Sequence, residues 1–118
     1  MAEWIRISYF LPVTTRNDRT AYLRTLESLR TRYPLISGFT YSQDAPPTYR
    51  GYYWSDALQL WVQDYIAVIF IDRPSTLQER ATVRQEAQTL KSQIARFYEE
   101  EGSPQESVWC TIQPIELV

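Results

Sequence analysis

From Ile5 to Leu11 apolar and polar positions alternate, with Ile5, Ile7, Tyr9 and Leu11 on one side and Trp4, Arg6, Ser8 and Phe10 on the other. A period of two predicts a half-buried strand, and Pro12, which has no N–H to give a ladder, ends it. Thr14-Thr15-Arg16-Asn17-Asp18 then offers several helix N-cap side chains, and the period changes. Leu23, Leu26, Leu29 and Tyr33 recur every three or four positions as one helical stripe. Pro34 disfavours helical geometry at Tyr33 and stops the helix there. Gly38 to Ser42 predicts a short strand with Phe39 and Tyr41 on one face, and Gln43 to Pro47 a loop. An extended, aromatic-rich pattern resumes over Tyr49 to Trp54. Ser55-Asp56-Ala57 marks a hairpin turn, and Gln59 to Val62 leads into the strongest strand, Tyr65 to Asp72. Its centre, Ile66 to Ile71, is apolar on both faces, as in a strand from the middle of a sheet.

Asp72-Arg73-Pro74-Ser75 closes that strand, and Ser75 with Gln78 fits a capping box for a second helix. Leu77, Ala81, Ala87, Leu90, Ile94 and Tyr98, with Phe97, keep its stripe, and Gly102 and Pro104 terminate it. Glu99-Glu100-Glu101 sits at the negative end of that helix dipole, which predicts a frayed, solvated last turn. Val108, Cys110 and Ile112 then alternate with Trp109, Thr111 and Gln113 in a final strand stopped by Pro114. The order is β-α-β-β-α-β with an extra hairpin in the second β arm. This is an α+β, ferredoxin-like arrangement. Two right-handed crossovers put both helices on one face of an antiparallel sheet, with the first and third strands central.

Length and charge narrow the function. The 118 residues suit one domain, 1–118, and 12 Lys+Arg against 14 Asp+Glu give a net charge of −2. The isoelectric point of about 5.1 argues against nucleic-acid binding by bulk charge, which favours domains above about 9. The chain has no histidine, which removes imidazole general bases, Ser-His and Cys-His pairs and imidazole zinc sites. With Cys110 as the one cysteine no internal disulfide can form, so a reducing, cytoplasmic setting is expected. Met1 to Arg6 carries no signal-like pattern. The longest apolar run is Ile66 to Ile71, against about 20 residues for a membrane span, so no membrane partner is expected. The glycines, Gly38, Gly51 and Gly102, form no phosphate loop, and no metal or cofactor is called for. Cys110 lies on the inward side of its strand, where apolar burial raises a thiol pKa and keeps it inert.

One sheet face is left uncovered by this fold. If Ile5, Ile7 and Tyr9 face the helices, Trp4, Arg6, Ser8 and Phe10 face outward, together with Trp109, Thr111 and Gln113. So aromatic a face marks an interaction surface. Three occupants compete: a second copy in a homodimer, another protein or a small ligand, and single-stranded nucleic acid stacked on aromatics. The last lacks the basic-Gly-aromatic segment of RNA-binding sheets. Trp4, Arg6, Phe10 and Trp109 are the expected anchors, with Tyr52 and Trp54 at the margin. Tyr49-Arg50-Gly51-Tyr52-Tyr53-Trp54 reads either as cross-strand aromatic pairs or as a recognition patch built on Arg50, Tyr52 and Trp54. Gly51 suits a bulge or a close backbone approach.

The alternative to an association module is a cofactor-free small-molecule enzyme with a pocket between helices and sheet, acting through Tyr9, Tyr41 or Arg6. That link is fold-level analogy. Asp64 and Asp72 stand roughly 26 Å apart along an extended strand and cannot act as a carboxylate pair.

Gly38-Phe39-Thr40, Gly51-Tyr52-Tyr53-Trp54, the aliphatic strand ending in Asp72, a helix with Ile94, Phe97 and Tyr98, and Gln105-Glu106-Ser107-Val108-Trp109 together carry a resemblance. Over about Gly38 to Ile112 the chain resembles a group of short, uncharacterised bacterial proteins. In that group a Gly-x-x-Trp hairpin precedes the central strand and a Gln-Glu-Ser-Val segment opens the last one. The resemblance implies the same fold and brings no activity with it. It draws attention to Gln105 and Glu106, either as a turn fixed by side-chain hydrogen bonds or as a polar pair facing the Trp54 hairpin.

Overall fold

A computed structural model describes residues 3–32, 38–43, 49–75 and 79–118. The elements run β1 (Trp4–Pro12), α1 (Arg16–Arg30), β2 (Thr40–Tyr41), β3 (Tyr49–Ser55), β4 (Leu60–Pro74), α2 (Arg80–Glu100) and β5 (Trp109–Ile115). The sheet order is β2-β4-β1-β5, every pairing antiparallel, with β3 also on β4. β1 and β4 are therefore central, and the fold is ferredoxin-like α+β. Among the described residues no helix is long and apolar enough to cross a membrane.

The inward residues of β1 and β4 are Ile5, Ile7, Tyr9 and Leu11 with Ala67, Ile69 and Ile71, all buried in one core with residues of both helices. Three buried tyrosines stitch its edges together. Tyr9 donates to Ala87 O at 2.9 Å, Tyr98 to Pro12 O at 2.7 Å and Tyr22 to Ser42 O at 2.7 Å. Each phenol so brings its ring into the core without stranding a hydroxyl, whose unpaired burial costs about 1–3 kcal/mol.

Thr15 and Asp18 form a reciprocal capping box at the start of α1, within the run of candidates that precedes it. The buried stripe of α1 is Ala21, Tyr22, Thr25, Leu26 and Leu29, whereas Leu23 is exposed. The buried face is therefore turned away from Leu23 and toward Thr25. The Thr25 hydroxyl is satisfied within the helix by Ala21 O, which lets it face the core. The buried stripe of α2 is Val83, Ala87, Leu90, Ile94 and Tyr98, and Ala81 is exposed. Tyr33, Pro34, the 44–47 part of the loop, Leu77 and Gln78 lie outside the described residues. The acidic end of α2 is held rather than merely solvated: Arg24 of α1 bonds Glu100 at 2.8 Å, with Glu101 at 4.0 Å.

Two strand boundaries are corrected. β4 starts at Leu60, because Gln59 still belongs to the turn, and runs unbroken through Tyr65–Asp72 to Pro74. β5 runs through Pro114 to Ile115, since an edge strand tolerates a residue with no N–H where it faces away from its partner.

Candidate functional site

The register assembles the open face in rows. Trp109 lies beside Phe10, which lies beside Val68; Thr111 beside Ser8, then Phe70; Gln113 beside Arg6, then Asp72; Ile115 beside Trp4, then Pro74. Aromatic groups thus occupy both ends, with a polar stripe between them. Trp109 is 65% exposed, while Trp4, Phe10 and Phe70 are half-buried against their neighbours. Ser8 and Val68 are already buried at the centre.

Arg6 is held within the face. Its Nε donates to Asp72 Oδ1 at 2.8 Å and its Nη2 to Oδ2 at 3.0 Å. The guanidinium lies 4.6 Å above the Phe70 ring. The pair fixes the guanidinium in its charged form, and the Asp72 hydrogen bonds raise its pKa further. Within these four rows Arg6 and Asp72 are the only charges, and they cancel; Asp64 lies further along the same side of β4, bonded to Thr14. A fork-to-carboxylate pair over a ring is a rigid, neutral platform.

The ribbon of β3 and the first half of β4 changes one expectation. Arg50, Tyr52 and Trp54 stand opposite Tyr65, Gln63 and Trp61. Tyr65 packs on the helix-side core, so period-two alternation puts all six side chains on the opposite side from Ile66, Val68 and Phe70. Tyr52 and Trp54 are therefore not the margin of the open face, and Arg50 is not on it either. They form a separate ladder: Trp54 meets Trp61 edge-on at 5.8 Å, and Arg50 lies 5.5 Å above the Tyr65 ring. Tyr52 and Trp61 are largely exposed there. The other side of the ribbon is docked. Thr14 donates to Asp64 at 2.9 Å, and Ser55 at the tip donates to Glu106 at 2.7 Å. The turn itself spans Asp56 to Gln59, closed by Gln59 in a left-handed conformation at φ 56°. Gly51 gives a close approach, since a Cβ there would sit 3.2 Å from Ile66 Cγ1. Gln105 turns back on Ser103 O at 2.9 Å, so Glu106 alone of that pair reaches the hairpin.

Tyr9, Tyr41 and Arg6 do not converge. Tyr9 and Arg6 project from opposite faces of β1, and Tyr41 sits exposed on the edge strand β2. Burial drives the Tyr9 phenol well above its ordinary pKa, which makes it a poor proton carrier. Cys110 is half-buried beside Tyr9 and its thiol is likewise raised by burial.

Sequence reasoning missed Asp72 and Ile115 as members of the open face and Trp61 as a member of the ladder. The apolar central strand leaves either Ile66, Val68 and Phe70 or their alternates on the open side, and the register selects the first set; Trp61 was legible by counting back in twos from Tyr65. Asp72 as the partner of Arg6, 66 positions away, had no local signal.

No protein-family model and no curated protein matches the chain. Among solved structures it is similar to the B. subtilis GlnK-ATP complex, at 9% identity and a TM-score of 0.47, over 98% of this chain and 84% of that one.

Proposed function

We propose that the chain is a non-catalytic association module in which two copies pair through their open sheet faces. The observation that carries the reading is the composition of that face: aromatic at both ends, exposed at Trp109, and without net charge because Arg6 and Asp72 satisfy each other. A second copy can cover such a face without burying an unpaired charge, the usual penalty of covering polar surface. Three strands, β5, β1 and β4, at about 4.8 Å spacing and seven residues at about 3.3 Å give roughly 330 Å² in projection. Side-chain relief and the two-residue edge strand β2 raise this toward the lower limit of a stable interface, about 600 Å² per partner. A two-fold axis suits it, since each aromatic end can meet a polar stripe or its own counterpart. The lone thiol of Cys110 fits a reducing cytoplasm.

The test is molar mass by light scattering at about 100 µM, where even micromolar self-affinity populates the dimer. Wild type is expected at twice 14.0 kDa. Trp109→Glu, a change at an exposed position of an edge strand, is expected to give a folded monomer. A wild-type monomer, or a Trp109→Glu protein that still pairs, overturns the reading.

A further inference from the structure

We propose that a cavity between the sheet and α2 binds a small organic monocarboxylate, with the Arg32 guanidinium holding the carboxylate and an apolar floor holding the body. The cavity measures about 360 Å³, at the small end of ligand sites. Its floor is Ile7 and Ile71 from the sheet with Ala87 and Leu90 from α2. Two guanidinium groups, Arg32 and Arg73, stand at its walls.

The two differ in what they already hold. Arg73 is paired with Glu86, so its charge is neutralised. Arg32 donates to Gln93, a neutral amide, and has no ion pair among the described residues. Its Nε is buried and lacks a hydrogen-bond partner there. A buried N–H on a charged group without an acceptor is costly, and native structures rarely leave one unanswered. An acceptor entering the cavity would satisfy it, and a carboxylate also cancels the positive charge of Arg32.

The remaining walls set the class of ligand. Arg32 is close enough to act electrostatically on the Tyr9 phenol, so its charge is felt at the sheet side of the cavity. Tyr9 has already given its hydrogen to Ala87 O and supplies an aromatic wall rather than a donor. Among the described lining residues Arg32 is the one cation without an ion pair, and over an apolar floor it favours a monoanion with a hydrocarbon body. Thr82 and Gln85 also line the cavity and offer neutral donors, but one guanidinium leaves a phosphate dianion half neutralised, and the apolar floor gives its oxygens nothing.

Phenylacetate is the probe, with 2-phenylethanol as the neutral match and inorganic phosphate as the bare anion. Titration of the intact wild-type protein, followed by amide and Arg Nε–Hε NMR signals, is expected to saturate with phenylacetate below about 10 mM. The Arg32 Nε–Hε signal is expected to shift. Phenylethanol is expected to bind about tenfold or more weakly, the worth of one charge-assisted pair. Arg32→Met is expected to lose binding by at least about tenfold, with an unliganded melting point equal to or above wild type, because it removes the orphaned N–H. Arg24→Gln, at the far Glu100 contact, is expected to bind as wild type does. Three results overturn the proposal: no saturation with phenylacetate, an unmoved Arg32 signal in wild type, or phosphate binding more tightly than phenylacetate. The wild-type signal decides the matter even if Arg32→Met fails to fold.

Discussion

Arg6 and Asp72 offer a direct readout of whether the open face is covered. Their two hydrogen bonds measure 2.8 and 3.0 Å, and the side chains are 33% and 32% exposed in the single chain. At that exposure an ion pair is worth about 0.2–1 kcal/mol, with the forked geometry favouring the upper part of the range. In a face-to-face dimer the same pair is desolvated. Removing one partner then leaves a buried, unpaired charge and costs about 3–5 kcal/mol. Asp72→Asn, Arg6→Met and the double variant close a double-mutant cycle, read by urea unfolding at dilute and concentrated protein. Below the dimer dissociation constant the coupling is expected to stay under about 1 kcal/mol and to fall with added salt. Above it the coupling is expected to rise severalfold and lose its salt dependence, and the double variant should be more stable than Asp72→Asn alone. A coupling that stays small and salt-sensitive in a sample shown to be dimeric would refute face-to-face pairing, because the pair would still be in water.

Two further variants test the interior. Tyr98→Phe removes the 2.7 Å bond to Pro12 O, and is expected to lower stability by about 1–2 kcal/mol, seen as a lower urea midpoint at unchanged slope. Burial raises the Asp64 pKa above 3.8, the Thr14 hydrogen bond opposing it in part, so the folded state holds this proton more tightly than the unfolded chain. Ionising Asp64 therefore costs stability as pH climbs from below 3.8 through the raised folded value. Asp64→Asn is expected to gain on wild type over that rise and to hold a constant difference above it. A difference independent of pH across the window would sink the assignment.

Period and punctuation made the element order legible, because these boundaries were marked by residues with a backbone reason: Pro12 at the end of β1, Thr15 and Asp18 at the start of α1, Gly102 after α2. The inward set of β1 could be read directly, since a strand has only two sides and one of them was Ile5, Ile7 and Tyr9. Helices were less legible. Thr25 and Tyr22 face the core because Ala21 O, one helical turn back, and Ser42 O, 20 positions away, satisfy their hydroxyls, and a count of apolar letters cannot see that. The aromatic hairpin failed for another reason. Tyr52 and Trp54 are two residues apart and share a side, but which side depends on pairing Trp54 with Trp61, a register that only the closed turn defines. Arg6 looked like a free anchor because Asp72 is distant in sequence. The pairing of β1 with β4 turns it into a fixed part of the surface.

β1 is the element on which both proposals depend, and its alternation keeps them apart. Trp4, Arg6 and Phe10 project to the open face, while Ile7 and Tyr9 project into the core and border the cavity. The central strands are buried on the helix side and paired along both edges, so neither face can move its residues without breaking ladder bonds on the other. Such a sheet keeps the shape of its open face whatever occupies the cavity. Arg32, by contrast, is not on the sheet; it follows the C-terminal end of α1, where the chain leaves the helix at Thr31. Its contact with Gln93 ties the segment after α1 to α2. An anion that satisfied its orphaned Nε would therefore tighten the helix layer and leave the open face as it is. The alternation of β1 thus separates the proposed partner-binding side from the proposed ligand-binding side within one sheet.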